Sequence, residues 1–214
     1  SEIVYNAHNR TLFSVPLVDT KLHELFARQD FAVNWDHVLI AIDPGRRIAT
    51  YATPSGPVER AWDFINVIPP MRAPVAVRNS PLPWQAGPFA ADGWIEVDKA
   101  TLRHLRYANV FGVGDVNGVP KGKTAASVKW QAPVAVDHLV GTITGKGGTE
   151  SYNGYTSCPL ITRAGEAMLV EFDYDNNLTP SFPFVPPLEE HWLSWIIKEK
   201  GLKANYTAML RGRA

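Results

Sequence analysis

The sequence predicts a mixed α/β fold, on three observations. Two segments, 18–30 and 124–139, carry apolar or small residues at helical spacing. Residues 38–52 form an apolar run, a Pro-Gly pair and a second apolar run, which indicates a β-hairpin. The elements follow one another in mixed order rather than as a regular βαβ series, which is expected of a piece of a larger fold. With 214 residues, one or two domains are expected.

The ends of these elements follow from local chemistry. Asp19 or Thr20 is the expected N-cap of the first helix, because a side-chain oxygen there satisfies a free N–H group. Pro44 and Gly45 form the turn of the hairpin. The second helix is expected to begin after Thr124, and Pro133 should kink or loosen it because proline has no N–H group.

Shorter elements complete the prediction. A linker is expected at 141–149, which is rich in Gly, Thr and Lys. A tryptophan-bearing helix is expected at 188–200. Strands are predicted at 64–68, where Pro69-Pro70 stops the ladder, and at 94–97, 110–113 and 167–174.

Composition excludes some functions. The 21 basic and 21 acidic residues balance, so no field favours nucleic acid, and no nucleic-acid partner is predicted. No apolar run approaches the roughly 20 residues that span a bilayer, so membrane contact should be peripheral. Ile3-Val4-Tyr5 opens the chain as a strand, and no signal peptide is expected there. The six histidines are scattered and predict no metal site.

The first chemical motif is the run Gly112-Val113-Gly114-Asp115, followed by Thr124. An apolar strand that ends in Gly-Asp brings backbone close to a ligand, and the Asp115 carboxylate can accept hydrogen bonds from hydroxyl groups. A helix that begins after Thr124 directs its free N–H groups toward the same crevice. The alternative for Gly-Asp alone is an ordinary turn at a strand end.

The second motif surrounds Cys158, the single cysteine. A lone cysteine cannot form an internal disulfide, so this thiol is buried and inert, reactive, or paired outside the chain. Pro159 disfavours a helical backbone at Cys158, which is therefore expected in an extended segment. A reactive thiol needs the thiolate form, and either Lys123 or a helix N-terminus could lower its pKa.

Both motifs resemble known flavoproteins. The strand, Gly-Asp and Thr-capped helix are similar to the second FAD-binding motif of the pyridine nucleotide-disulfide oxidoreductase-like flavoproteins. That resemblance implies that Asp115 binds the ribityl chain and that the N–H near Ala125 faces the pyrimidine end of the flavin. The segments GYTSCP (154–159), EFDY (171–174) and LRGRA (210–214) resemble the sulfide:quinone oxidoreductase family.

This family resemblance implies site residues. Cys158 would lie on the re face of the flavin ring and carry sulfane sulfur. Lys198 would lie near the flavin and the quinone. The residues expected to bind the FAD cofactor are Gly114, Asp115, Lys123, Thr124, Ala125 and Lys198.

The resemblance also implies an architecture. The fold class is a partial fold of two dinucleotide-binding domains, Rossmann-like, without the N-terminal FAD βαβ unit, since the fingerprint G-x-G-x-x-G is absent. Residues 1–72 would belong to the NAD-like central domain, residues 73–145 to the returning FAD segment, and residues 146–214 to the C-terminal quinone side. A second redox cysteine would lie upstream of Ser1.

The implied function is that of a C-terminal part of an enzyme that oxidises sulfide and reduces a membrane quinone. Alone, the chain is expected to be inactive and to hold FAD weakly. It is expected at the inner membrane as a peripheral protein, or in the cytoplasm, and association into a homo-oligomer is possible through uncovered apolar surface. Two alternatives stay open: a type II NADH:quinone dehydrogenase, which has no use for Cys158, and a non-catalytic docking or dimerisation module that uses the tryptophan helix.

Overall fold

The computed structural model describes residues 2–213, which form two compact units divided between Pro69 and Pro70. The first unit begins with a strand–helix–strand motif. Strand β1 (Val4–Asn6) pairs in parallel with β2 (Ala32–Asn34), and helix α1 (Pro16–Arg28) connects them. A helical crossover is the usual way to join two parallel strands.

Helix α1 confirms the first predicted helix but begins earlier. Proline fits the first turn of a helix, where its missing N–H group costs nothing, so the helix starts at Pro16. The predicted caps were wrong: Val15 is the N-cap and makes no side-chain cap. Asp19 instead accepts hydrogen bonds from the main-chain N–H groups of Leu12 and Phe13, at 2.5 and 3.1 Å.

The predicted hairpin is confirmed as β3 (Val38–Asp43) and β4 (Ile48–Thr53), which pair antiparallel. A third strand, β5 (Gly56–Ala61), joins β4 and makes a three-stranded meander. Strand β5 was not predicted, because Gly, Pro and charged residues are uncommon in strands. The strand predicted at 64–68 was wrong, since those residues form no ladder and Phe64 and Ile68 are exposed.

The second unit begins with a long irregular stretch. It contains the short helix α2 (Val75–Arg78) and a 3-10 turn at Gly114–Val116. The strands predicted at 94–97 and 110–113 do not form as regular strands, so this prediction was wrong. Their extended backbone is held by isolated bridges, such as Ile95 with Asn117 and Arg103 with Phe111, because closely spaced turns interrupt every ladder. The core beneath is formed by Ile95, Val97, Leu102, Val119, Val134 and Tyr152.

Helix α3 (Ala125–Thr144) confirms the second predicted helix and continues through Pro133. It extends into the predicted linker and ends at Gly145, whose φ of 71° is the left-handed conformation common after helix ends. The antiparallel pair β6 (Thr156–Arg163) and β7 (Glu166–Phe172) follows. Strand β7 confirms the strand predicted at 167–174, with its end two residues earlier.

One helix was predicted at 188–200, and this prediction was wrong in its bounds and its regularity. Helix α4 (Trp192–Ile196) passes through a π-helical turn (Ile197–Gly201) into helix α5 (Leu202–Leu210). Glu189 and Glu190, which lie at the start of the predicted range, precede α4. Among residues 2–213, no helix has both the length and the apolar content needed to cross a bilayer.

Candidate functional site

The Gly-Asp motif forms a tight turn in the second unit. Gly114 is buried and has a φ of 77°, a conformation that other residues rarely adopt. Its N–H donates to the side-chain oxygen of Gln131 at 2.8 Å. Asp115 follows, and its side chain is exposed to solvent. The turn therefore presents a carboxylate at the surface while its backbone is fixed from behind.

Thr124 is the N-cap of α3, as predicted. Its hydroxyl oxygen accepts a hydrogen bond from the N–H of Ser127 at 3.2 Å. Ala125 is the first residue of the helix and is exposed. The N–H groups of a first helical turn have no partner within the helix, and together with the helix dipole they favour an anion or a polarised carbonyl oxygen.

Lys123 joins the turn to the helix. Its ammonium donates to the main-chain oxygens of Asp115 and Asn117, at 2.6 and 2.7 Å, and lies 3.6 Å from the centre of the Trp94 ring. Burial lowers the pKa of Lys123 to about 8, against the opposing effect of the Asp115 and Asp92 carboxylates. Lys123 thus braces the Gly-Asp turn, and its predicted contact with a cofactor stays a prediction.

A groove of about 500 Å³ opens beside this turn. That volume lies within the range of small-molecule and cofactor sites. The lining is mostly apolar and includes one carboxylate, a composition that fits the ring and ribityl end of FAD. The residues that line it are Met71, Arg72, Pro74, Trp94, Val113, Asp115 and Val116.

Sequence reasoning missed Gln131. This residue is fully buried in α3, where its side-chain oxygen accepts from Gly114 N–H and from the Asn117 amide at 3.1 Å. Its own amide donates to the Gly122 oxygen at 3.0 Å. One side chain therefore holds both ends of the loop between the Gly-Asp turn and α3. The only indication of Gln131 in the sequence was its polar side chain among the small and apolar residues of the predicted helix.

Cys158 lies in β6 opposite Val170 of β7, so the extended segment predicted from Pro159 is confirmed. The thiol is free and half-buried. Burial raises the pKa of Cys158, and the charge of Lys198 acts in the opposite direction. The charge that favours the thiolate is on Lys198 rather than on Lys123, which had been expected, and the net shift of the pKa is upward.

The packing of the tail brings the charge of Lys198 close enough to act on the thiol. His191 and Ala167 form an antiparallel bridge, in which the His191 N–H donates to the Ala167 oxygen at 3.0 Å. This bridge fixes the start of α4 against β7. Lys198 follows in the π-helical turn and is half-buried.

One hydrogen bond joins the thiol strand to the Gly-Asp side, and a second, local one supports it. Ser127, in the first turn of α3, donates its hydroxyl to the main-chain oxygen of Tyr155 at 2.9 Å. The same oxygen accepts from the hydroxyl of the buried Tyr152 at 2.6 Å. The segment that leads into Cys158 is therefore fixed against the start of α3.

The structure thus arranges the predicted site residues as two linked groups within the second unit. Gly114, Asp115, Lys123, Thr124 and Ala125 surround the turn and the helix start. Cys158 and Lys198 form the second group on the β6–β7 side. The aromatic side chains of the tail are less buried than a core-facing helix would require, and Phe184, Trp192 and Tyr206 are exposed. No cluster of three metal-ligating side chains occurs among residues 2–213.

Sulfide:quinone oxidoreductases from several organisms are similar to this chain in sequence. No protein-family model matches it. The mitochondrial sulfide:quinone oxidoreductase of Dictyostelium discoideum is 34% identical over 209 residues, which is 98% of this chain and 45% of that protein. The mouse enzyme is 35% identical over 187 residues (86% and 40%), and that of Schizosaccharomyces pombe is 34% identical over 177 residues (80% and 37%). The chain therefore spans less than half the length of these relatives.

Solved structures agree on the fold. A chain of the mitochondrial ATP synthase of Tetrahymena thermophila superposes with a TM-score of 0.82 at 19% identity, over 99% of this chain and 50% of that one. The sulfide:quinone oxidoreductase of Aquifex aeolicus gives 0.78 at 16% identity, with the same coverage. The predicted class, part of a Rossmann-like flavoprotein fold, is thereby confirmed.

The sequence relationship is more specific than the fold. Across nearly its whole length the chain is homologous to the sulfide:quinone oxidoreductases, and the family resemblance of its motifs is confirmed.

Proposed function

We propose that the chain is the part of a flavin-dependent sulfide:quinone oxidoreductase that carries the reactive thiol and holds the ring end of FAD. The observation that carries the proposal is the Ser127–Tyr155 hydrogen bond of 2.9 Å, which joins the Cys158 segment to the helix start beside Asp115. The three curated relatives are enzymes named for sulfide as the electron donor and quinone as the acceptor. Those substrates suit a chain that holds both a free thiol and a groove of cofactor size.

The Gly-Asp side would orient the cofactor. The exposed Asp115 carboxylate is placed to accept hydrogen bonds from ribityl hydroxyls, and the N–H groups at the start of α3 are placed to donate to a carbonyl oxygen of the ring. Gln131 and Lys123 hold this turn rigid, so that little reorganisation is needed on binding. FAD, when bound, would supply the two-electron acceptor between the sulfur and the quinone.

Cys158 would carry the sulfur. Joining the sulfur of hydrosulfide to the Cys158 thiolate forms one S–S bond and releases one proton and two electrons. The two electrons would leave through a cofactor held at the Gly-Asp side and end on the quinone, which takes up two protons to become a quinol. The thiolate is the reactive form, and the Lys198 charge favours it against the effect of burial. In this proposal Lys198 limits the upward shift that burial causes in the pKa of Cys158.

The tail would face the quinone and the membrane. Exposed Trp192, Tyr206 and Leu210 occur with Lys203 on the same stretch of helix, a combination suited to an interface between apolar and charged surroundings. The curated relatives are named as mitochondrial enzymes that act on quinone, and in this proposal the tail meets the quinone at a membrane surface. Association into oligomers through such apolar surface is part of the proposal.

Absorbance and turnover test the proposed function in the whole enzyme that contains this chain. We expect a flavin band that sulfide bleaches and that a short-chain quinone restores. Bleaching by NADH without any response to sulfide would instead support a type II NADH:quinone dehydrogenase. A whole protein without flavin would support the docking module.

A further inference from the structure

A buried carboxylate lies next to the thiol strand and takes no part in the proposed chemistry. Glu171 in β7 is opposite Ser157, one residue along from Cys158, and only 3% of its surface is exposed. A carboxylate rarely remains buried unless its oxygens accept several hydrogen bonds, because ionised groups lose their hydration in the interior. The partners of Glu171 therefore indicate what it holds.

Three donors converge on this carboxylate. One oxygen accepts from the hydroxyls of Tyr155 and Ser181, the latter at 2.6 Å. The other oxygen accepts from the main-chain N–H of Ser181 at 2.8 Å. The main-chain oxygen of Glu171 also accepts from Thr179 N–H at 2.9 Å, so the segment 179–181 is fixed through both backbone and side chain.

Tyr155 extends this network to the other half of the site. Its main-chain oxygen accepts from Ser127 at 2.9 Å, and the Ser127 hydroxyl lies 2.9 Å from that of the cap residue Thr124. A continuous series of hydrogen bonds thus runs from Glu171 through Tyr155 and Ser127 to the start of α3. Cys158 follows Tyr155 by three residues, at the beginning of β6.

We infer that Glu171 is a positioning residue for Cys158: by holding Tyr155 and Ser181 it fixes the beginning of β6 and so sets the exposure of the thiol. Side chains alternate along a strand, so the Glu171 side chain lies on the face opposite the thiol, and it acts through the backbone rather than by contact. This inference deepens the proposed function, since it concerns the same thiol. Its test needs neither flavin nor sulfide, so the two ideas fail separately.

The substitution Glu171→Gln is suited to the test because it keeps the size of the side chain. The hydroxyls of Tyr155 and Ser181 can rotate and accept from the new amide, but the Ser181 N–H still requires an oxygen. The substitution therefore weakens the hydrogen bonds around position 171 without removing all of them. Tyr155→Phe removes a single hydroxyl and serves as a second, milder variant.

The control is Glu166→Gln in the same strand. Glu166 also loses a charge, but its partner is Arg163 at the far end of the β6–β7 pair, where the two side chains are joined at 2.7 and 3.0 Å. A general effect of negative charge on β7 would appear in both variants. An effect of position would appear only at Glu171.

The experiment measures the rate at which iodoacetamide alkylates Cys158, the single thiol, in the 214-residue chain across a range of pH and well below the unfolding temperature. We expect Glu171→Gln and Tyr155→Phe to raise the rate about threefold or more and to move the pH profile downward, since a more exposed thiol ionises more readily. The double variant should add little to either single one. An unchanged rate and profile in both variants, or an equal change in Glu166→Gln, overturns the inference even if the melting temperature falls.

Discussion

The charge of Lys198 opposes the effect of burial on the thiol of Cys158. The two residues lie in different elements, the strand β6 and the π-helical turn that follows α4. The bridge between His191 and Ala167 brings those elements together. The tail of the chain therefore helps to set the ionisation of a thiol that precedes it by many residues.

Replacing Lys198 with methionine should slow the alkylation of Cys158. Methionine keeps most of the apolar stem but removes the charge that favours the thiolate, so the pKa of the thiol rises further and the pH profile moves upward. Near neutral pH we expect the rate to fall about three- to tenfold. Iodoacetamide kinetics on the chain give the profile.

Lys200→Met is the matched control. Lys200 is exposed and interacts with Glu199 at 3.3 Å, two residues along the same turn. Equal slowing in both variants would show that the effect is general to positive charge on the tail.

In the whole enzyme, Cys158→Ser should abolish most sulfide-dependent quinone reduction. Serine is close in size, but its hydroxyl forms an anion far less readily than a thiol, so we expect a loss of at least ~100-fold while flavin remains bound. The flavin spectrum and steady-state turnover are measured on one preparation. Turnover near the parent rate would leave Cys158 as a buried apolar residue.

The chain should purify without the absorbance of a stoichiometric flavin, because it lacks the G-x-G-x-x-G fingerprint that would hold the pyrophosphate of FAD. In the whole enzyme, Asp115→Ala should weaken FAD binding about 10- to 100-fold, the effect of losing a hydrogen bond to a charged group. Fluorescence titration of flavin gives the dissociation constant. A yellow isolated chain, or full affinity in Asp115→Ala, would contradict these assignments.

Gly154→Ala should destabilise the second unit far more than Gly165→Ala. Both glycines have positive φ values, 88° and 83°, which cost an alanine about 1 kcal/mol. At Gly154 the new methyl group would also overlap the ring of Tyr174, whereas at Gly165 it meets open space. We expect losses of about 2–4 and about 1 kcal/mol in the free energy of unfolding. Urea denaturation of the two variants makes the comparison, and similar losses would show that Tyr174 moves aside.

Tyr155 should make the fold sensitive to alkali. Burial, followed by its hydrogen bond to Glu171, raises the pKa of Tyr155 from 10 to about 12. The unfolded state therefore releases this proton at lower pH, so the stabilisation is present below pH 10 and is lost as the pH rises toward 12. Tyr155→Phe should lower stability at neutral pH but show a shallower decline across that window. Melting temperatures along the pH series test this, and equal slopes would argue against it.

Several features were predictable because they depend on neighbours in the chain. Thr124 caps α3 since a hydroxyl before a helix satisfies a free N–H group, and Pro159 keeps Cys158 extended because its ring restricts the preceding residue. Pro44-Gly45 defines a turn for the same local reason. The segment 154–159 also carried the family resemblance. These chemical rules operate over a few residues, so the sequence by itself determined them.

Other features were decided by contacts between distant residues. Gln131 holds the Gly114 turn across 17 positions, and Lys198 acts on Cys158 from another element. The extended segments around Ile95 form bridges instead of strands, because they pair with several short partners. Helical or strand periodicity reports which face of an element is apolar, but it carries no information about which element packs against it. Only the tertiary structure brings the carboxylate of Glu171 under Tyr155 and so connects the thiol strand to the start of α3.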